Sequence, residues 1–271
     1  MDALADRFWE DGFILVRRLF APEEVATFRA RALARTNRRG DLLSDAELRR
    51  LLLDQRLLGV VRQLIGEDVV YFGDSSAMIG DTAPGFHKDN VDKDDPNGPD
   101  WRGRYPLVRF GVYTQNHVRA PDGLDVRAGS HLHCSTRVGR HVYLQTSPGD
   151  VVFWNLRTSH SGGGMTVMGR PLNPESIVGK VMRRLPALRD KPQSERVAMF
   201  GTFGAPSPQL DRYIAYLRTR LYAVEGWKAS PYDEAALAAA RAAGLVVRDM
   251  GREIEADPPA VVRAEHVPLP Y

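Results

Sequence analysis

Short apolar strands separated by turn residues fill the middle of the chain, from about residue 67 to 204, and they restrict the fold more than any other feature. The strand-like segments are rich in valine, phenylalanine, tyrosine and threonine. They are VVYFG at 69–73, RFGVYTQ at 109–115, GDVVFWNL at 149–156 and RVAMFGTFG at 196–204. Gly-Asp, Asp-Gly and Pro-Gly pairs lie between them. Many short strands with such turns predict a β-sandwich or a jelly roll.

Helical patterns flank this central zone. GFILVRRLF at 12–20 predicts a short strand, and Pro22 at a first helical position, followed by two glutamates, predicts a helix to about Arg35. SDAE at 44–47 fits a capping box. The apolar helix that follows is expected to end at Gly66, a typical C-terminal cap.

No repeat and no low-complexity linker is visible, so we predict one domain over residues 1–271. It should be mainly β with flanking helices, built on a double-stranded β-helix, the jelly roll of cupin-like proteins. In this prediction, residues 1–66 form a helical N-terminal support, 67–204 form the core, and 205–271 form C-terminal helices and a tail.

Composition and charge argue against several classes of protein. The chain is 43% hydrophobic, enough for a sizeable core, but its apolar runs are too short to span a membrane. Its 32 arginines and 5 lysines are spread among 34 acidic residues, and this gives no basic face for nucleic acid. The N-terminus lacks the pattern of a secretory signal. Cys134 is the only cysteine, which excludes an internal disulfide and favours a reducing cytoplasm.

A candidate metal site begins in GFHKDN at 85–90. In a strand or at its end, residues i and i+2 point the same way, so His87 and Asp89 can reach one ion together. His160 follows the strand GDVVFWNLRTS, which a jelly roll can bring beside His87. Two histidines and a carboxylate match the facial triad of non-haem Fe(II) oxygenases, which leaves three coordination positions open. Taken alone, an H-x-D pair is common by chance, and an ordinary polar loop is the alternative.

The remaining histidines show weaker patterns. His131, in AGSH, is expected to hold a turn, and His117 and His266 are expected at the surface. The HLHC segment that ends at Cys134 offers too few sulfur ligands for a structural zinc site. Trp154, on the strand before the third candidate ligand, is expected to line the same site.

Several motifs, in order, resemble the phytanoyl-CoA dioxygenase superfamily over about residues 7–217. FWEDGFILVRRLFAPEEVATFR is similar to the family's N-terminal strand and helix, and GFHKDN to its H-x-D pair. VRFGVYTQNH, DGLDVRAGSH and PGDVVFWNLRTSHSGG are similar to its central strands, its Gly-Ser-His turn and the strand with the distal histidine. The resemblance implies an oxygenase that uses Fe(II), 2-oxoglutarate and O₂, with His87, Asp89 and His160 as iron ligands. Related halogenases have a small residue in place of Asp89, so hydroxylation, desaturation or cyclisation is favoured.

In this family an arginine holds the far carboxylate of 2-oxoglutarate, because its planar fork matches a carboxylate. Arg170 lies ten residues after His160, the usual spacing, and Arg196 lies 36 residues after it. We predict Arg196, because it opens the apolar strand RVAMFGTFG, whereas Arg170 precedes a proline, where a core strand would not continue. Residues 165–195 are then an insertion, either a lid or a cover for one edge of the barrel.

Further contacts to the cosubstrate are implied on the neighbouring strands. Tyr113 and Gln115 share one face of their strand, and the family often uses such positions. Packing inside the barrel is the alternative for Tyr113. Ser161 and Thr202 are weaker candidates.

We therefore expect a dioxygenase that oxidises an unactivated C–H bond, by hydroxylation or oxidative cyclisation, and releases succinate and CO₂. Relatives of this kind tailor glycosides and other secondary metabolites in antibiotic biosynthesis. Segment 90–104 is either a solvated loop or a flap whose acids suit a hydroxyl-rich small molecule; its acids are Asp92, Asp94, Asp95 and Asp100. Two other classes stay open: a cupin-like isomerase or hydrolase without a cosubstrate, whose strand arginine would point away from the metal, and a non-catalytic binding module.

Overall fold

Two β-sheets form the centre of the computed structural model, which describes residues 3–36, 40–80, 85–192 and 194–266. The strands are β1 (Phe13–Val16), β2 (Val70–Ile79), β3 (Leu107–Tyr113), β4 (Leu124–Ala128), β5 (Arg140–Leu144), β6 (Val151–Asn155), β7 (His160–Ser161), β8 (Met165–Val167), β9 (Arg170–Leu172), β10 (Val197–Gly204) and β11 (Val246–Val247). The larger sheet has the order β1-β6-β3-β10-β2-β11, and the smaller sheet has the order β5-β4-β7. Neighbouring strands are antiparallel except β11, which runs parallel to β2.

Side chains of the larger sheet alternate between two environments, as the period of a strand requires. Val108, Phe110 and Val112 of β3 are buried against the N-terminal helices, in the main core. Tyr113, on the other face of the same strand, lies in a second cluster that includes Val126 of the smaller sheet. The two sheets therefore pack face to face, which confirms the predicted jelly roll with flanking helices.

The N-terminal helices cover the outer face of the larger sheet. They are α1 (Ala3–Asp11), α2 (Pro22–Ala34), α3 (Arg49–Leu52) and α4 (Gln55–Ile65). The predicted helix from Pro22 is present, and α4 ends at Gly66 as expected, with φ of 102°, a left-handed conformation that favours glycine.

The predicted capping box at 44–47 is wrong. The Ser44 hydroxyl donates to the carbonyl of Asp41 and so does not cap a helix. Asp45 instead closes the turn that leads into α3, because its Oδ1 accepts from the amides of Glu47 and Leu48, each at 3.1 Å, and α3 itself has no side-chain cap. The sequence pattern failed because the hydroxyl has a closer carbonyl to bind.

The predicted insertion at 165–195 contains the β8–β9 hairpin and the helix α5 (Ile177–Arg184). Asp190 ties the segment back to the hairpin turn by accepting from the amides of Met168 and Gly169. Only Gly179 of α5 is buried. None of its described residues lines the cavity at the candidate metal site, so the segment stands beside the barrel rather than over that cavity.

The C-terminal region is helical, as predicted. It contains α6 (Pro208–Arg218), α7 (Leu221–Ala229), α8 (Glu234–Ala242) and α9 (Met250–Ala256). Helices α6, α7 and α9 pack with the start of β2 in a third apolar cluster, which includes Phe72, Ile214 and Trp227. Among the described residues, no helix combines the length and the apolar character that crossing a membrane requires.

Candidate metal centre

His87 and His160 are joined by their main chains. Each amide donates to the carbonyl of the other residue, and both N···O distances are 3.0 Å. The amide of Asp89 continues this pairing with a 2.9 Å bond to the carbonyl of Leu156. On its other side, β7 pairs with β4. The fold thus seats the H-x-D segment against the strand of the distal histidine, as the jelly-roll prediction required.

The three side chains converge on one point. One ligand atom from each of His87, Asp89 and His160 lies within 4.8 Å of the others. The Nε2 atoms of His87 and His160 lie 3.9 and 3.6 Å from the Asp89 carboxylate oxygens. Each histidine Nδ1 lies 3.0 Å from a carbonyl, that of Gly85 or of Thr158. Because these carbonyls can only accept, Nδ1 carries the proton and the Nε2 lone pair is left for a metal ion.

Burial and neighbouring charges keep Asp89 and His160 in the protonation states that bind metal. Burial alone would raise the pKa of Asp89, but the positive charges of Arg109 and the two histidines outweigh it and lower that pKa to about 2. Burial lowers the pKa of His160 to about 4. Near neutral pH, the site therefore offers a carboxylate and a neutral imidazole without first losing a proton.

Arg109 is the site residue that sequence reasoning missed. Its Nη1 donates to Asp89 at 2.9 Å and its Nη2 donates to Asp74 at 2.7 Å, so one guanidinium joins two carboxylates. Its Nε donates to Thr202 Oγ1 at 2.9 Å. The available signal was a charged residue inside the apolar strand LVRFGVY, where an unpaired cation would be costly.

A cavity of about 320 Å³ opens at the metal site and also contains Arg196 and Tyr113. The guanidinium carbon of Arg196, a residue only 6% exposed, lies 5.6 Å from the centre of the Tyr113 ring. The Tyr113 hydroxyl is buried, and burial raises its pKa to about 12, although the neighbouring Arg196 guanidinium opposes this shift. A buried cation beside a buried hydroxyl group, which can donate its own proton, fits a carboxylate ligand. Trp154 lines the same cavity, as expected.

The other predicted cosubstrate contacts lie elsewhere. Arg170 is exposed on β9, outside this cavity. Gln115 binds the amide of Val197 and His117, and it lines a separate small cavity. The Thr202 hydroxyl already accepts a hydrogen bond from Arg109 Nε.

Ser161 serves the loop that leads to the metal site. Its hydroxyl accepts from the amide of Gly85 and donates to the carbonyl of Gly162. It is therefore placed to hold the segment before His87 rather than to contact a ligand in the cavity.

The acidic segment 90–104 is solvated only in part, because Asp94 is exposed whereas Asp92 and Asp100 are buried. The carboxylates of Asp92 and Asp100 are almost fully buried and share the guanidinium of Arg212, with distances of 2.8–2.9 Å. The Trp101 indole donates to two carbonyls of the same segment. These acids are occupied within the protein, so the expectation that they recognise substrate hydroxyls is wrong for this pair.

Two predictions about the remaining histidines have different outcomes. His131 is buried and its Nε2 lies 3.0 Å from the carbonyl of Trp9, in agreement with a structural role. His117 is 1% exposed, so the surface prediction is wrong. It is held between Gln115 and the carbonyl of Pro121, partners that an isolated histidine in the sequence does not reveal.

No family model and no curated protein matches this chain. Solved structures do match it. The non-heme alpha-ketoglutarate-dependent epimerase SnoN from nogalamycin biosynthesis is 19% identical, with a TM-score of 0.51 over 74% of this chain and 81% of SnoN. HygX from Streptomyces hygroscopicus, solved with nickel and 2-oxoglutarate bound, is 18% identical, with a TM-score of 0.52 over 73% of this chain and 84% of HygX. The nickel complex of the non-heme monooxygenase ThoJ gives 18% identity and a TM-score of 0.52, over 76% and 79% of the two chains. At these identities the likeness establishes the shared fold.

Proposed function

We propose that this protein is an Fe(II)- and 2-oxoglutarate-dependent dioxygenase. The observation that carries the proposal is the convergence of two imidazole Nε2 atoms and one carboxylate at a cavity that also holds a buried arginine. Two neutral nitrogens and one carboxylate suit Fe(II) and leave it a net positive charge and open positions. The matched structures SnoN and HygX, which are described with alpha-ketoglutarate or 2-oxoglutarate, support the same class.

Each residue of the site has a role in this proposal. His87, Asp89 and His160 would hold the iron, which together with 2-oxoglutarate and O₂ supplies the oxidation of a C–H bond, with succinate and CO₂ released. Arg196 would bind the far carboxylate of 2-oxoglutarate, with the Tyr113 hydroxyl as a second donor. The apolar side chains that line this cavity, Trp154 and Phe200 among them, would exclude water from the reacting atoms.

The cosubstrate-free isomerase or hydrolase is less well supported. That alternative predicted an arginine pointing away from the metal, whereas Arg196 lines the same cavity as His87 and His160. A binding module without catalysis would not need two histidines with their Nε2 lone pairs free.

The substrate is proposed to be a small secondary metabolite with hydroxyl groups, such as a glycoside of antibiotic biosynthesis. In support, SnoN is described in complex with Fe3+, alpha ketoglutarate and nogalamycin RO. We propose hydroxylation or oxidative cyclisation as the outcome. A cytoplasmic location stays a prediction from the single cysteine.

The test is anaerobic addition of Fe(II) and 2-oxoglutarate to the purified protein. We expect a weak visible charge-transfer band from the chelate, and its loss in His160→Ala together with loss of bound iron. The matched control is His133→Ala, since His133 is exposed and neither belongs to the candidate triad nor lines its cavity. Bound iron without a band in the wild-type protein would favour the cosubstrate-free alternative. Near-normal iron binding by His160→Ala would remove that residue from the triad.

A further inference from the structure

A second cavity, of about 290 Å³, adjoins the cavity at the metal site. The two share lining residues from β2, Asp74, Ser76 and Met78 among them, and Tyr222 from α7. They therefore meet along one strand and one aromatic side chain. The far wall of the second cavity comes from α6 and α7.

Helix α7 lies beyond the part of the chain that resembles the phytanoyl-CoA dioxygenase superfamily, about residues 7–217. Its inward residues Ala223 and Gly226 line the second cavity, and Lys228 of the same helix is exposed. This wall comes from the C-terminal helices and not from the barrel strands, and it is where we look for what distinguishes the substrate.

The junction between the cavities is polar but nearly neutral. Oδ2 of Asp74 accepts from Arg109 at 2.7 Å and from the Tyr213 hydroxyl at 3.2 Å, so a cation already matches its charge. Its Oδ1 and the hydroxyls of Ser76 and Tyr222 have no hydrogen-bond partner among the described residues. One acceptor and two hydroxyls without a net charge suit ligand hydroxyl groups better than an ammonium or a carboxylate.

Beyond this junction, the second cavity offers a ligand mainly apolar surface, because its polar side chains are already hydrogen-bonded within the protein. Leu217 and Ala223 line it, and the Trp227 ring lines it with its indole nitrogen already donating to the carbonyl of Gly73 at 2.9 Å. The one carboxylate there, Asp41, is 3% exposed and is occupied by hydrogen bonds from Tyr71, Ser75, Tyr232 and the amide of Leu43. A ring-sized apolar group fits these walls.

We infer that the prime substrate spans both cavities: a neutral polyol, such as a sugar, at the junction near the metal, and an apolar ring in the second cavity. This inference rests on the proposed function for the position of the reacting end. It makes Gly226 and Ala223 specificity-determining residues, since a larger side chain at either position would fill the space for the ring.

The test compares phenyl β-glucopyranoside with methyl β-glucopyranoside as probes on the anaerobic Fe(II)–2-oxoglutarate protein. Binding is read as a shift of the visible band and as quenching of tryptophan fluorescence. We expect the phenyl glycoside to bind about tenfold more tightly or better, from burial of the ring. Gly226→Leu should abolish this preference and leave the band itself in place. Leucine is also the better helix former, so the helix should be retained.

Lys228→Leu is the matched control, because it adds the same side chain to the exposed side of the same helix. Ala223→Trp is a second variant that fills the cavity from another position. Equal affinity for the two probes in the wild-type protein, no binding of either probe, or an unchanged preference in both cavity variants would overturn the inference. If the wild-type band itself is absent, the proposed function fails instead, and the two failures are therefore distinguishable.

Discussion

Arg109 donates a 2.9 Å hydrogen bond to the carboxylate of Asp89, so a cation fixed on the central strand orients the acidic member of the triad. The same guanidinium binds Asp74 at the junction of the two cavities. The carboxylate of the candidate metal site and the carboxylate at the junction of the two cavities are therefore linked through one side chain. Residues that orient a metal ligand commonly change metal affinity when they are lost.

Replacing Arg109 by lysine should weaken metal binding about tenfold or more, because an ammonium cannot bridge both carboxylates with a planar fork. The measurement is a titration of the metal-free protein with Co(II), followed by absorption and by metal analysis. Thr202→Val is the comparison, since it removes only the acceptor for Arg109 Nε and leaves the bond to Asp89. An affinity unchanged in Arg109→Lys would mean that this bond has no part in holding the metal.

Arg196→Ala should raise the dissociation constant for 2-oxoglutarate by about tenfold to a hundredfold, the effect of losing hydrogen bonds to a charged group. The measurement is titration of the chelate band under anaerobic conditions. Arg170→Ala is the matched control, as an arginine on the exposed hairpin. The reverse ranking of the two variants would identify Arg170 as the anchor.

Arg212→Ala should destabilise the fold by about 3 kcal/mol, because it leaves the buried carboxylates of Asp92 and Asp100 without their cation. Denaturant unfolding of the metal-free protein measures the change. Asp94→Ala is the control, since its side chain is 71% exposed. A loss of substrate affinity at unchanged stability would instead restore a recognition role for this segment.

Stability should fall in mild acid, in part through His131. Burial lowers the pKa of His131 to about 4, below the ordinary value of 6.5. Above pH 6.5 both folded and unfolded chains carry the neutral ring, whereas between pH 6.5 and 4 only the unfolded chain takes up the proton. By pH 5, the uptake of this proton by the unfolded chain lowers the free energy of unfolding by about 2 kcal/mol.

The check is the free energy of unfolding at pH 7.5 and pH 5, measured without metal. His131→Gln keeps a donor for the carbonyl of Trp9 but does not titrate, so its stability should decline less than that of the wild-type protein. His133→Gln, at an exposed position, should decline as the wild-type protein does. Parallel declines in all three proteins would show that His131 is not the titrating group.

The sequence predicted the elements whose signals are local. The segments of β3, β6 and β10 are rich in valine and aromatic residues, and Pro22 and Gly66 mark helix boundaries through their own backbone preferences. The H-x-D pair was visible because its two members are only two residues apart. His160 lies beside this pair only because the jelly roll places its strand next to His87, so its position depended on the fold prediction.

Long-range pairing of charges was not predictable in the same way. Arg109 finds its carboxylates 20 and 35 residues away, and Arg212 finds Asp92 120 residues away. A sequence shows each charged residue but not its partner in the fold. The pairing of Asp92 and Asp100 with Arg212 was therefore not predicted. Burial of His117 was missed for a different reason. Its side-chain partners, Gln115 and the carbonyl of Pro121, are only two and four residues away, but the sequence does not show that this turn is buried.

The main-chain bonds between His87 and His160 have a consequence for how the protein acquires its metal. Peptide groups, and not the ion, set the spacing of these two positions, so the unloaded protein already holds its donors near their working separation. Capture of the ion then needs little rearrangement. Under the proposed function, iron lost to a chelator would accordingly be replaced in the folded protein, with no need to pass through an unfolded chain.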